Sequence, residues 1–73
     1  MQKVHSARDM GDAVRAARKA AGLTQRELSE VCGYGVRFLS DLENGKPTVE
    51  LGKAIRVLNT LSIDVCLSKR SFS

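Results

Sequence analysis

Apolar residues recur at helical intervals in four stretches of this chain and at alternate positions in a fifth. Met10, Val14, Ala17 and Ala21 stand at i, i+4, i+7 and i+11, which predicts a helix over about residues 7–21 with one apolar stripe. Ser6 is a fair N-cap for it, Asp9 and Asp12 lie near its positive end, and Gly22 suits the position just past its last turn. Leu28 and Cys32 share one face of a second helix over 25–32, opened by Thr24 and Glu27 at capping-box spacing. Gly33-Tyr34-Gly35 interrupts the pattern, since glycine takes positive φ without steric cost. A third helix over 36–44 turns Leu39 and Leu42 inward and ends at Gly45.

Lys46-Pro47-Thr48 reads as a turn, and a fourth helix follows over 50–61, its start open between Thr48 and Glu50. Leu51, Ala54, Ile55, Leu58 and Leu61 keep helical spacing there, with Val57 widening the stripe. From Ser62 the period falls to two: Ile63, Val65 and Leu67 alternate with Asp64, Cys66 and Ser68, a strand over about 62–68 with one apolar face. A lone strand leaves its backbone N–H and C=O groups without partners. Two copies related by a two-fold axis would satisfy them, which predicts a homodimer built on Ile63, Val65 and Leu67.

The second and third helices carry the functional content. Two short helices, a glycine-containing turn between them and a basic chain together describe a helix-turn-helix. Ser29, four residues before Gly33, is small where two steeply crossing helices would approach closely. Seventy-three residues allow one domain over 1–73, with a limited core. The net charge of +4 and pI of about 9.5 suit a phosphate partner, although mild basicity alone is weak evidence.

Other chemistries find little footing. Aromatic residues make up 4% of the chain, too few to form a stacking platform for single strands. Cys32, Cys66 and the single His5 do not have the spacing of a zinc site, and two reduced, mostly buried thiols are expected instead. No Ser-His or Cys-His pair has useful spacing and no glycine-rich phosphate loop occurs, so neither catalysis nor a cofactor is expected. There is no apolar run of membrane-spanning length and no signal-peptide pattern, which predicts a cytoplasmic protein, in a bacterium associated with the nucleoid.

Thr24-Gln25-x-Glu27-Leu28, then Gly33, then Leu39-Ser40-Asp41-Leu42-Glu43-Asn44-Gly45, resembles the helix-turn-helix of phage repressors and Cro proteins. With Leu61-Ser62-Ile63-Asp64-Val65-Cys66-Leu67 following directly, the chain from about residue 6 to 68 is similar to HipB-type antitoxins of the same family. The resemblance implies an all-α, phage-repressor-like bundle of four helices plus one C-terminal strand that pairs across a homodimer. It further implies a repressor that binds an inverted-repeat operator in double-stranded DNA and holds a HipA-like kinase toxin. A free-standing transcriptional regulator of the same fold, with no toxin, is the alternative.

Residue roles follow in part from chemistry and in part from that resemblance. The second helix of the motif must supply side chains that reach base edges and groups that fix register on phosphates. By resemblance, Val36, Arg37 and Asp41 are base-reading positions. Arg37 suits O6 and N7 of a guanine and Val36 a thymine methyl group. Asp41 either accepts from a cytosine amine or, the favoured reading, holds Arg37 at i+4. Gln25 opens a helix whose positive end suits a phosphate, and its side chain can add a second bond. Gly35 and Ser40 are grouped with it as phosphate-facing positions, and Asn44 and Lys46 resemble the family's second phosphate clamp. The solvated-face reading is preferred for Arg8 and Arg15. For Arg18 the resemblance implies a partly buried ion pair with Glu43 that sets the angle of the recognition helix.

Overall fold

A computed structural model of the chain describes residues 4–63. Four helices follow one another: α1 Ala7–Ala20, α2 Gln25–Cys32, α3 Val36–Glu43 and α4 Leu51–Thr60. Most of the strand expected over 62–68, with Val65, Cys66 and Leu67, lies outside the described residues.

The helix boundaries have local causes. Ser6 is extended, and its hydroxyl accepts the Asp9 N–H at 3.1 Å. At the start of α2 the capping box is complete: the Glu27 N–H donates to Thr24 Oγ1 at 3.1 Å, and the Thr24 N–H donates to Glu27 Oε1 at 2.9 Å. Those bonds, the backbone one first, hold the Glu27 carboxyl below the usual carboxylate range. Gly33 closes α2 in the left-handed region, at φ +78°, and its N–H returns to the Ser29 carbonyl at 2.9 Å. By contrast, α3 and α4 open on Gly35 and Glu50 with no side-chain cap. Ala21, Asn44 and Leu61 are cap residues outside the helices they were expected to complete.

Val14, Leu28, Cys32, Leu39, Leu42, Ala54, Val57 and Leu58 form the buried core. Two expectations about it are corrected. Ala21 is exposed, whereas Gly11, off the expected stripe, is buried. On α4, Leu51 and Ile55 are 64% and 37% exposed, while Val57 is fully buried. The inward face of α4 is therefore Ala54, Val57 and Leu58, continued by the cap residue Leu61 and centred about an eighth of a turn from the stripe that starts at Leu51, at about 100° per residue.

The packing of α1 on α3 sets the geometry of the functional face. A Cβ added at Gly11 would stand 2.5 Å from the Leu42 carbonyl oxygen and 2.6 Å from that of Glu43. The last turn of α3 thus runs directly over the backbone of α1, an approach only glycine permits. It brings the C-terminal end of α3 within reach of the arginines of α1.

Candidate nucleic-acid interface

Glu43 is the organising side chain of this face. Its carboxylate is wholly buried, and burial alone would raise its pKa. Arg18 opposes that with two bonds, Nε to Oε2 at 2.7 Å and Nη2 to Oε1 at 3.0 Å. The Gln25 amide donates to Oε1 at 3.2 Å, and Arg15 Nε donates to it at 3.4 Å. Together these bonds and the charge of Arg18 outweigh desolvation and hold the carboxyl below its ordinary range. The guanidinium of Arg18, 11% exposed, also donates to the Leu23 carbonyl at 2.9 Å. The bond to Glu43, then its charge, raise the Arg18 pKa against the lowering effect of burial. One carboxylate thereby ties α1, the first residue of α2 and the last residue of α3 to one another.

Arg15 is not a solvated surface charge. One turn before Arg18, it reaches both Glu43 and Asn44, with Nη2 donating to Asn44 Oδ1 at 3.2 Å. The spacing of three from Arg18 was the available signal, because i and i+3 share a helix face. Its partners depend on where α3 crosses, which the spacing does not reveal.

Asp41 does not hold Arg37. Its Oδ2 lies 3.6 Å from Lys46 Nζ, across the end of α3. Arg37 is exposed and makes no hydrogen bond or ion pair among the described residues. An exposed i, i+4 pair is worth only a few tenths of a kcal/mol, too little to hold an arginine that solvent can release. Val36, beside it, is 38% exposed, an apolar side chain facing solvent on the first turn of α3. The N–H groups of Val36 and Arg37 precede the first α3 bonds, which run from Phe38 and Leu39 to the Gly35 carbonyl.

The remaining expected positions flank that turn. Gly35 is exposed at the N-cap of α3. Ser40 Oγ accepts from Asn44 Nδ2 at 3.4 Å, and Asn44 is itself the C-cap of α3. Gln25 uses one amide hydrogen on Glu43 and keeps a second, along with its carbonyl oxygen.

A brace that the sequence reading missed lies behind this surface. The rings of Tyr34 and Phe38 meet at 5.4 Å, tilted by 59°, and Lys53 Nζ of α4 stands 5.6 Å and 5.8 Å from their centroids. The turn and the first turn of α3 are thereby fastened to α4 through a cation–π contact. Glu50 Oε2 lies 3.6 Å from the same ammonium.

Two short helices packed on each other over a common core and joined at Gly33, the second presenting an arginine unpaired among the described residues, a valine and free amides, define a helix-turn-helix surface. A family model described as Helix-turn-helix matches residues 14–67, and the chain belongs to that family, in its Cro/C1-type branch. An uncharacterized HTH-type transcriptional regulator, y4mF, of Sinorhizobium fredii (strain NBRC 101917 / NGR234) is 47% identical over 66 residues, 88% of this chain and 87% of that one. Among solved structures, HipB in a complex with an O4 20mer superposes with a TM-score of 0.86 at 25% identity, over 97% of this chain and all of that one. The HipB chain of a HipA-HipB-O2-O3 complex matches with the same score, identity and coverage. The protein is thus a helix-turn-helix regulator of HipB-like fold.

Proposed function

We propose that the protein is a sequence-specific repressor that binds double-stranded DNA as a homodimer on an inverted repeat and serves as the antitoxin of a HipA-like kinase toxin. The observation that carries the DNA part is the first turn of α3, where Val36 and Arg37 stand exposed, Arg37 without a partner among the described residues, on a helix braced against α4 through Phe38 and Lys53. Arg37 reads a guanine and Val36 a thymine methyl group in the major groove. Gln25, Gly35, Ser40, Asn44 and Lys46 set the register on the phosphates. Asp41, occupied by Lys46, tempers that lysine's charge and is the weakest of the base-reading positions.

Homodimerisation draws support from α4, whose Leu51 and Ile55 lie exposed just upstream of the alternating Ile63, Val65 and Leu67. The toxin partnership rests on likeness to HipB, which is found with HipA in one of the matching structures. None of the described helices is long and apolar enough to cross a membrane, and the reading sets the protein to work in the cytoplasm, at the nucleoid. A free-standing regulator is the second reading, favoured by the 47%-identical relative, whose name speaks of transcriptional regulation alone.

Co-purification with the product of the neighbouring gene, followed by a gel-shift assay on the DNA upstream, tests both parts. A shift together with a co-purifying kinase-like protein supports the antitoxin. A shift with no such partner supports the free-standing regulator. No shift on any duplex overturns the DNA reading.

A further inference from the structure

We infer that Arg15 is a positioning residue for DNA binding: it fixes the orientation of the Asn44 side-chain amide so that the amide presents a hydrogen-bond donor to a phosphate. The inference rests on the reading of Asn44 as a phosphate contact and names the residue on which that contact depends. An asparagine amide is nearly symmetric in shape, and which end faces outward is set by its neighbours. Here the neighbour decides. A guanidinium has donors and no acceptor, so Arg15 Nη2, 3.2 Å away, can face only the Asn44 carbonyl oxygen. The amide nitrogen is then turned to the other side, where it reaches Ser40 Oγ at 3.4 Å and keeps a second hydrogen. Phosphate oxygens only accept, so the flipped amide would offer them a carbonyl oxygen and repel them.

Arg15 is itself held in place. Its Nε donates to Glu43 Oε1 at 3.4 Å, and that carboxylate is fixed by Arg18 and Gln25. A chain of contacts therefore runs from the buried Glu43 through Arg15 to an exposed asparagine at the end of α3. Arg18 keeps the fold of this corner without Arg15, because it supplies the two shorter bonds to Glu43. The expected loss on removing Arg15 is consequently one of function, with the helices intact.

The test is a double-mutant cycle on one fixed duplex, carrying the site that the wild-type protein selects from a random-sequence pool. Affinities of wild type, Arg15→Ala, Asn44→Ala and the double variant are measured across a series of salt concentrations, with thermal melts alongside. Each single change is expected to weaken binding about ten- to hundredfold, the loss of one hydrogen bond to a charged group. The double variant should bind no more weakly than Asn44→Ala alone, and Arg15→Lys, which keeps the charge but loses the fork, should not restore affinity. The salt slope should change little in Arg15→Ala. Losses that add, a slope flattened by about one unit per subunit, or rescue by lysine would show Arg15 touching phosphate by its own charge, and would overturn the inference. If Asn44→Ala weakens binding while Arg15→Ala does not, only the positioning role fails. If Asn44→Ala and Lys46→Ala both leave affinity unchanged, the phosphate reading itself has failed.

Discussion

At the scale of single residues, Arg37 and Lys46 share a charge, and the proposed function gives them different tasks. Arg37→Ala should cost roughly 1–3 kcal/mol on the selected site and relax the preference at one base pair. Lys46→Ala should weaken all sequences alike and flatten the salt slope by about one unit per subunit, about two for the dimer. Fluorescence anisotropy on matched and mismatched duplexes separates them, and equal losses of specific and random DNA in Arg37→Ala would remove it from base reading. Glu43 is a residue of the other kind, inaccessible and concerned with geometry. Its carboxyl is depressed in the fold, so the stability it contributes is fully present above the ordinary value of 4.5 and is lost as pH falls through the folded one. Glu43→Gln leaves Arg18 partly buried without a counter-charge, at a cost of about 3–5 kcal/mol near neutral pH. The gap in melting temperature between it and wild type should hold steady above pH 4.5 and close below it. A gap that is the same at acid and neutral pH would mean that the charge of Glu43 does not support the fold. A second cycle, Arg18→Met with Glu43→Leu, should show the double variant more stable than either single one, since well-packed apolar groups replace a buried pair far better than half of it does.

The contact of helix α1 with helix α3 reverses a general expectation about glycine. Replacing a glycine inside a helix by alanine ordinarily stabilises by up to about 1 kcal/mol. At Gly11 the new Cβ would meet two backbone carbonyl oxygens, at 2.5 and 2.6 Å, and a backbone cannot rotate away as a side chain can. Overpacking of this kind costs about 1–3 kcal/mol, so Gly11→Ala should lower the melting temperature and also weaken DNA binding by tilting α3. A neutral or stabilising result in denaturant titration would show that α1 and α3 part easily. The same contact explains what could be read in advance. Caps at Ser6, Thr24 and Gly33 and the inward Leu28, Leu39 and Leu42 are set by neighbours three or four residues away, and their sequence spacing predicts them. Gly11, Arg15 and the Lys53–Tyr34–Phe38 brace depend on which residues a distant helix brings alongside, and no spacing within one helix holds that information. Leu51 and Ile55 mislead for a related reason. Their periodicity is helical, but which arc of an apolar helix faces the core is chosen by the packing of α4 on α2.

On the scale of the whole molecule, one recognition helix covers one half-site, and an inverted repeat needs two such helices about 34 Å apart along the duplex, held by a two-fold interface. Two regions of the chain suit that interface. One is the exposed Leu51 and Ile55 of α4, and the other is the alternating segment that begins at Ile63, with Val65 and Leu67 beyond the described residues. Val65→Pro removes a backbone donor from the middle of that segment and should abolish a strand-paired dimer. Because this variant can also disturb folding, a surface change serves as its companion. Ile55→Lys replaces a side chain already 37% exposed, so it should alter monomer stability by only about 0.5 kcal/mol. Placed in an apolar dimer interface, the same lysine buries an unpaired charge and should split the dimer. Sedimentation velocity should therefore show monomers for both variants, with the circular-dichroism melt of Ile55→Lys close to that of monomeric wild type. Specific binding to the inverted repeat should fall steeply, while the weak, salt-sensitive affinity of each monomer for any duplex survives, since Arg37, Asn44 and Lys46 are untouched. A Val65→Pro protein that sediments as a dimer would reject strand pairing. A wild type that is monomeric while still selecting a palindromic site would reject the two-fold interface altogether, and with it the need for α4 to keep an apolar side in water.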